Sequence, residues 1–128
     1  MVELLVLSHS KDLANGVKEL MAQMAPDVKI TAIGGTREGD LGSDGEKIIE
    51  HMSMDYPDGL IVLFDLGSSM MNAEMAYEFL DEDKKEKVFI ADQALVEGAV
   101  QVAVMAQGGD SFENIKAFCQ ENKYGKLV

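Results

Sequence analysis

The chain has 128 residues, a mass of 13.9 kDa and a 47% hydrophobic share, enough for one domain spanning residues 1–128 and too apolar for a disordered chain. No apolar run nears the roughly 20 residues of a membrane span, the N-terminus MVELLVLSHS lacks a basic segment and carries Glu3, and the lone Cys119 excludes an internal disulfide and a multi-cysteine metal site, so the expected location is cytoplasmic. Eleven Lys and Arg against 23 Asp and Glu give a net charge of -12, which argues against nucleic acid and anionic membrane and suits either a basic protein partner or plain solubility.

Four β-rich runs are predicted as strands: Val2–Leu7, Val28–Ile33, Leu60–Asp65 and Lys87–Ala91. The first and third are nearly continuous apolar runs, the pattern of central strands covered on both faces. After the first run, Leu13, Val17, Leu20, Met21 and Met24 recur at helical spacing, and Pro26 and Asp27 stop the helix. The segment GGTREGDLG (34–42) is glycine-rich and carries the only arginine, Arg37. A second helix is predicted from Ser43, with Glu46 in capping-box spacing and Ile48, Ile49 and Met52 as its apolar positions. A third begins after Gly67, with Ser68 or Ser69 as candidate cap, and runs through Met71, Met75 and Phe79 to about Asp81. The fourth, Leu95 to Ala106, is apolar on nearly every side, which asks for a cover beyond one small sheet. The fifth opens at Asp110 with Glu113 and buries Phe112, Ile115 and Cys119. The nine methionines are expected mainly to fill gaps in the core.

Strands alternating with helices imply an α/β fold, an open doubly wound sheet, mainly parallel, in the order 2-1-3-4 with helices on both faces. Ligands of such sheets bind beyond the carboxyl ends of the strands, where the strand order reverses. Here the first strand ends in Ser8-His9-Ser10 and the third in Asp65-Leu66-Gly67-Ser68-Ser69. The topology therefore brings His9 to Asp65. A carboxylate on one ring N–H fixes the tautomer and leaves the other nitrogen as an oriented lone pair, a nucleophile, base or metal ligand. Helix N-termini at the same crevice suit an anion, and the hydroxyls of Ser10, Ser68 and Ser69 add donors. The chemistry that uses all of these parts is transient phosphorylation of a histidine. Arg37, on the glycine-rich loop, is the local cation that could reach such a group.

Rival chemistries lack parts. A phosphoaspartate receiver would need an acidic pair after the first strand, where this chain has Ser8-His9-Ser10. Leu66-Gly67-Ser68-Ser69-Met70 is not a nucleophile elbow. His51, read as a solvated mid-helix residue, leaves too few ligands for a metal site, and no phosphate-binding glycine motif supplies a nucleotide site, so no cofactor or metal is expected.

Val-Leu-Ser-His-Ser at the end of the first strand, Leu41-Gly42-Ser43-Asp44 before the second helix, Asp65-Leu66-Gly67-Ser68-Ser69 after the third strand and Ala94-Leu95-Val96-Glu97-Gly98-Ala99 at the fourth helix together resemble the mannose-type enzyme IIA domains of the bacterial sugar phosphotransferase system. The Leu95-Val96-Glu97-Gly98 segment is most similar to the DhaM-type phosphotransferase subunits of phosphoenolpyruvate-dependent dihydroxyacetone kinase. That resemblance implies His9 as the phosphorylated residue, Asp65 as its orienting carboxylate, and Gly67, Ser68 and Ser69 around the phosphoryl group. It implies a phosphocarrier protein, HPr, as donor and ADP held in a DhaL-type subunit as acceptor. It further implies a DhaK-type subunit that binds the dihydroxyacetone, in glycerol metabolism. It also implies a homodimer, and the fourth helix, with more apolar faces than one small sheet can cover, is expected at or near the interface. Some members carry fused carrier domains; with none after Val128, a separate carrier is the expected donor. The alternatives are a IIA component of a mannose- or fructose-type transporter and a non-enzymatic anion-binding regulatory module.

Overall fold

Leu4, Leu5, Val6 and Leu7 in the first run and Leu60 to Phe64 in the third are all buried, and these runs form the two central strands. The computed structural model describes residues 1–126. Its elements are β1 (Glu3–Ser8), α1 (Lys11–Met24), β2 (Ile30–Gly34), α2 (Gly45–Met52), β3 (Leu60–Phe64), α3 (Gly67–Glu78), α4 (Glu82–Lys85), β4 (Val88–Ala91), α5 (Leu95–Gln107) and α6 (Phe112–Glu121). The sheet runs β2-β1-β3-β4 with every pairing parallel, the order expected from the sequence. Leu7 stands opposite both Ile33 and Phe64, so the three strands end nearly level.

Strand alternation divides the core. Leu4 and Val6 of β1 and Ile61 and Leu63 of β3 pack toward Val17 and Met21 of α1, Val102 of α5 and Ile115 of α6. Leu5, Leu7, Leu60, Val62 and Phe64 face the other way, onto Ile48 and Met52 of α2 and Ala73 and Ala76 of α3. Each such Leu, Val, Ile, Phe or Met side chain contributes about 1.5–3 kcal/mol when fully buried. β1 therefore hands the chain to one face and β3 to the other. The gap between their ends is the switch point.

Several expectations need correcting. On α1 only Val17 and Met21 of the five predicted apolar positions are buried, with Ala14 beside them; Leu13, Leu20 and Met24 are exposed. On α3 the apolar positions Met71, Met75 and Phe79 are exposed, Ser69, Ala73 and Ala76 are buried, and the N-cap is Leu66, with neither Ser68 nor Ser69 capping. The cause is close packing, since small residues bring α3 down onto the sheet and against α2 and leave no room for methionine. Met21 and Met52 alone among the nine methionines are buried, while Met1, Met24, Met54, Met71 and Met75 are exposed. Asp44, not Ser43, caps α2, accepting the Lys47 N–H at 3.2 Å. Ser111, not Asp110, caps α6, accepting the Asn114 N–H at 3.1 Å. In each case the true cap lies one residue on, where its oxygen reaches the amide three residues ahead. The single-turn helix α4 went unpredicted, since its sequence, Glu-Asp-Lys-Lys, has no apolar position. His51 sits in the last turn of α2 and is half-buried, not solvated. Its ring lies 6.0 Å from that of Tyr56, whose hydroxyl donates to the His51 carbonyl oxygen at 2.6 Å.

Candidate active site at the carboxyl edge of the sheet

The site grows from two adjacent strand ends. Ser8 closes β1, and its buried hydroxyl donates to Asp65 Oδ2 at 2.9 Å. The His9 backbone N–H donates to the same oxygen at 2.9 Å. Across the carboxylate, Oδ1 accepts the Leu66 N–H at 2.6 Å and the Ser69 hydroxyl at 3.0 Å. His9 Nδ1 lies 3.1 Å from Oδ1 and 3.2 Å from Ser69 Oγ. Asp65 is thus gripped by both turns at once. Burial pushes its carboxyl up, but the His9 N–H, the Ser8 hydroxyl, the His9 ring and the Leu66 N–H together outweigh burial and hold it below the usual carboxylate value.

An ionised Asp65 accepts and does not donate, so the proton between the pair belongs to Nδ1. Nε2 then carries the lone pair and takes the Ser68 hydroxyl as its donor. The His9 side chain is 26% exposed and the Asp65 side chain 10%, so the carboxylate lies inside and the imidazole at the rim.

The two helices starting here differ. α1 is capped by Ser10, whose hydroxyl accepts the Leu13 N–H at 3.2 Å. That hydroxyl, expected among the phosphoryl donors, is turned onto its own helix. α3 has no side-chain cap at Leu66, and Gly67 puts no side chain over its first turn. The opening amides of α3 therefore stand beside His9 with a positive dipole end, the arrangement that receives phosphate oxygens. The glycine-rich loop reaches the site through its backbone. The Gly42 N–H donates to the His9 carbonyl oxygen at 2.9 Å, at a φ of 142° that favours glycine. At the loop's other end, a Cβ on Gly34 would strike the Ser10 carbonyl. Arg37 itself is turned away, its Nη2 2.9 Å from Glu46 and its Nε 3.5 Å from Asp44.

Of the expected residues, His9, Asp65, Ser68 and Ser69 meet directly, Gly67 opens the neighbouring helix, Ser10 caps α1 and Arg37 pairs outside the cluster. Sequence reasoning passed over Ser8, which looked like the last residue of a strand; its place two residues before Ser10, whose N–H its hydroxyl accepts at 3.0 Å, was the available signal. No group of three or more His, Cys, Asp or Glu residues able to hold a metal occurs among the described residues.

The family model for EIIA-man, the PTS system fructose IIA component, matches residues 3–116. The chain belongs to this family. Among EIIA-man relatives, it is 32% identical over 113 residues to the PTS-dependent dihydroxyacetone kinase phosphotransferase subunit DhaM of Lactococcus lactis, covering 88% of this chain and 89% of that one. It is 36% identical to a phosphoryl donor subunit DhaM of Listeria innocua, over 90% of this chain and 94% of the relative. A Providencia stuartii DhaM is 40% identical over 90% of this chain, which spans a quarter (25%) of that longer protein. A crystal structure of a protein of unknown function, EF1359, superposes with a TM-score of 0.84 at 35% identity over 97% of each chain. No helix among the described residues is long and apolar enough to cross a membrane.

Proposed function

We propose that this EIIA-man chain is the phosphoryl donor subunit of a dihydroxyacetone kinase, carrying the group on His9 Nε2. One observation carries the reading: Nδ1 is held on Asp65, so Nε2 presents a lone pair at the rim beside the uncapped start of α3. The names of the Lactococcus and Listeria relatives support the kinase branch.

In the first step Nε2 attacks the phosphorus of a phosphohistidine on an HPr-type carrier. A new N–P bond forms as the carrier's N–P bond breaks, and the carrier's nitrogen keeps the electron pair. The proton stays on Nδ1, hydrogen-bonded to Asp65, and the imidazolium-like charge that develops is met by the carboxylate. As Nε2 bonds to phosphorus the Ser68 hydroxyl leaves that nitrogen and, with the first amides of α3, donates to the phosphoryl oxygens. In the second step an oxygen of the β-phosphate of ADP, held in a DhaL-type subunit, attacks the same phosphorus. The His9 N–P bond breaks and Nε2 recovers its lone pair. ATP formed there phosphorylates dihydroxyacetone in a DhaK-type subunit. With a net charge of -12, this chain relies on its partners for much of the cationic stabilisation.

The working form is a homodimer. α1 and α5 lie side by side, and Leu13, Leu20 and Met24 of α1 and Val96 and Val104 of α5 are all exposed. A second copy would cover them. Light scattering at micromolar concentration reads this separately.

The test of the main reading mixes the protein with phosphoenolpyruvate, enzyme I and HPr, locates acid-labile phosphate, and offers the labelled protein to free ADP, to an ADP-loaded DhaL-type subunit and to a transporter IIB domain. Rapid loss to the loaded subunit alone is expected. Comparable transfer to free ADP overturns the reading, and transfer only to the IIB domain assigns the chain to the transporter branch.

A further inference from the structure

The chain returns to this site after α6, beyond residues 3–116 matched to the family. Past the end of β4, Asp92, only 5% exposed, gathers the backbone. The Gly125 and Lys126 N–H groups donate to its Oδ2 and Oδ1 at 3.3 and 3.0 Å, and the Tyr124 N–H donates to its carbonyl oxygen at 3.1 Å. The clamp sets the Lys126 ammonium 4.9 Å from the centre of the Phe64 ring, where Nζ donates to the Phe64 carbonyl oxygen at 2.8 Å.

That carbonyl belongs to the peptide joining Phe64 to Asp65. A trans peptide sends its N–H and C=O to opposite sides. The Asp65 N–H goes toward β1, donating to the Leu7 carbonyl oxygen at 3.2 Å. The Phe64 carbonyl therefore looks toward β4, which has already ended at Ala91, the partner of Leu63. A strand-end carbonyl there needs another donor, and an ammonium supplies a charge-assisted one.

We infer that Lys126 is a positioning residue for the His9 site: held by the Asp92 clamp, it locks the Phe64–Asp65 peptide at the end of β3 and so fixes the carboxylate that orients His9. A rotation of that peptide would swing Asp65 away from donors that lie 2.6 to 3.1 Å from its oxygens. Misplacement of an orienting group by a fraction of an ångström is enough to slow a transfer. Burial draws the Lys126 ammonium below the usual lysine value, and attraction to Asp92 and Asp65 works against that. The catalytic part of this inference rests on the phosphotransfer reading; the positional part does not.

The experiment compares the full chain with Lys126→Gln and Lys126→Arg by amide hydrogen exchange and by single-turnover phosphorylation from phospho-HPr. In Lys126→Gln, exchange at Asp65 and Leu66 should rise about tenfold while the amides of β2 stay unchanged. The transfer rate should fall about tenfold with the KM for the carrier unmoved. Lys126→Arg, which keeps a charged donor, should restore both. Exchange and rate within about twofold of wild type in Lys126→Gln, or no recovery in Lys126→Arg, overturns the inference. If wild type takes no phosphate but exchange responds as stated, the phosphotransfer reading fails and the positional role stands. If Lys126→Gln is phosphorylated as fast as wild type, the reading stands and the catalytic role of Lys126 falls.

Discussion

The two histidines of this chain sit at opposite ends of their neighbourhoods. His9 leaves a strand at the switch point, with Nδ1 on a buried carboxylate and Nε2 at the rim. His51 lies in the last turn of α2, half-buried against Tyr56, with no carboxylate on its ring among the described residues; burial, then repulsion from Lys29, draws it below the usual histidine value. The same burial that favours neutral His51 pushes the Tyr56 phenol up to about 12. The side chain type is identical, so the difference lies in what faces the ring. A carboxylate fixes the tautomer and orients an imidazole, whereas burial without one favours its neutral form.

The sharpest way to break this contrast is to remove each ring in turn. His9→Ala should abolish acid-labile labelling from phospho-HPr, and His51→Ala should leave it intact; the reverse result would mean the site is elsewhere. Next in size, Asp65→Asn should keep the fold and slow single-turnover transfer at least about tenfold, because the amide lacks the charge and turns an NH2 toward one of the two sets of donors that the carboxylate accepts. Rapid-quench kinetics reads this directly.

Stability effects come below those on rate. Gly34→Ala should cost about 1–3 kcal/mol by driving a methyl into the Ser10 carbonyl. Ser10→Ala should cost about 1 kcal/mol as a lost cap and slow transfer less than Asp65→Asn does. Urea unfolding measures both. The smallest effect is in pH. The folded-state value of His51 is lowered, so the unfolded chain binds its proton first and stability declines as pH falls through about 6.5. The Asp65 carboxyl is also lowered in the folded state. Its stabilisation is present above the unfolded value of 3.8 and is lost as pH falls through the folded value. His51→Gln should flatten the upper decline and leave the lower one, as followed by urea midpoints across pH.

The sheet order and the His9–Asp65 pairing were legible because both rest on strand ends. Continuous apolar runs mark central strands, and parallel topology then decides which loops meet. Helix faces were harder. Met71, Met75 and Phe79 have perfect spacing for burial, yet the sheet takes Ala73 and Ala76, since a close approach selects small residues that carry little hydrophobic signal. Leu13 and Leu20 are exposed too, while α1 buries Ala14, Val17 and Met21. Ser8 and Lys126 were hidden for another reason. Each acts through one tertiary hydrogen bond, to Asp65 or to the Phe64 carbonyl, and no local pattern announces a partner 57 or 62 residues away.

Pinning Nδ1 on Asp65 leaves a single line of approach to the ring, along the Nε2 lone pair. Donor and acceptor must therefore occupy the same space at different times. Under the proposed chemistry, steady-state rates measured against carrier at several acceptor concentrations should give parallel double-reciprocal lines, the mark of a ping-pong cycle. The stereochemistry follows too. Each in-line displacement inverts the phosphorus, so a chiral, isotopically labelled phosphoryl group should cross from carrier to acceptor through His9 with its configuration retained.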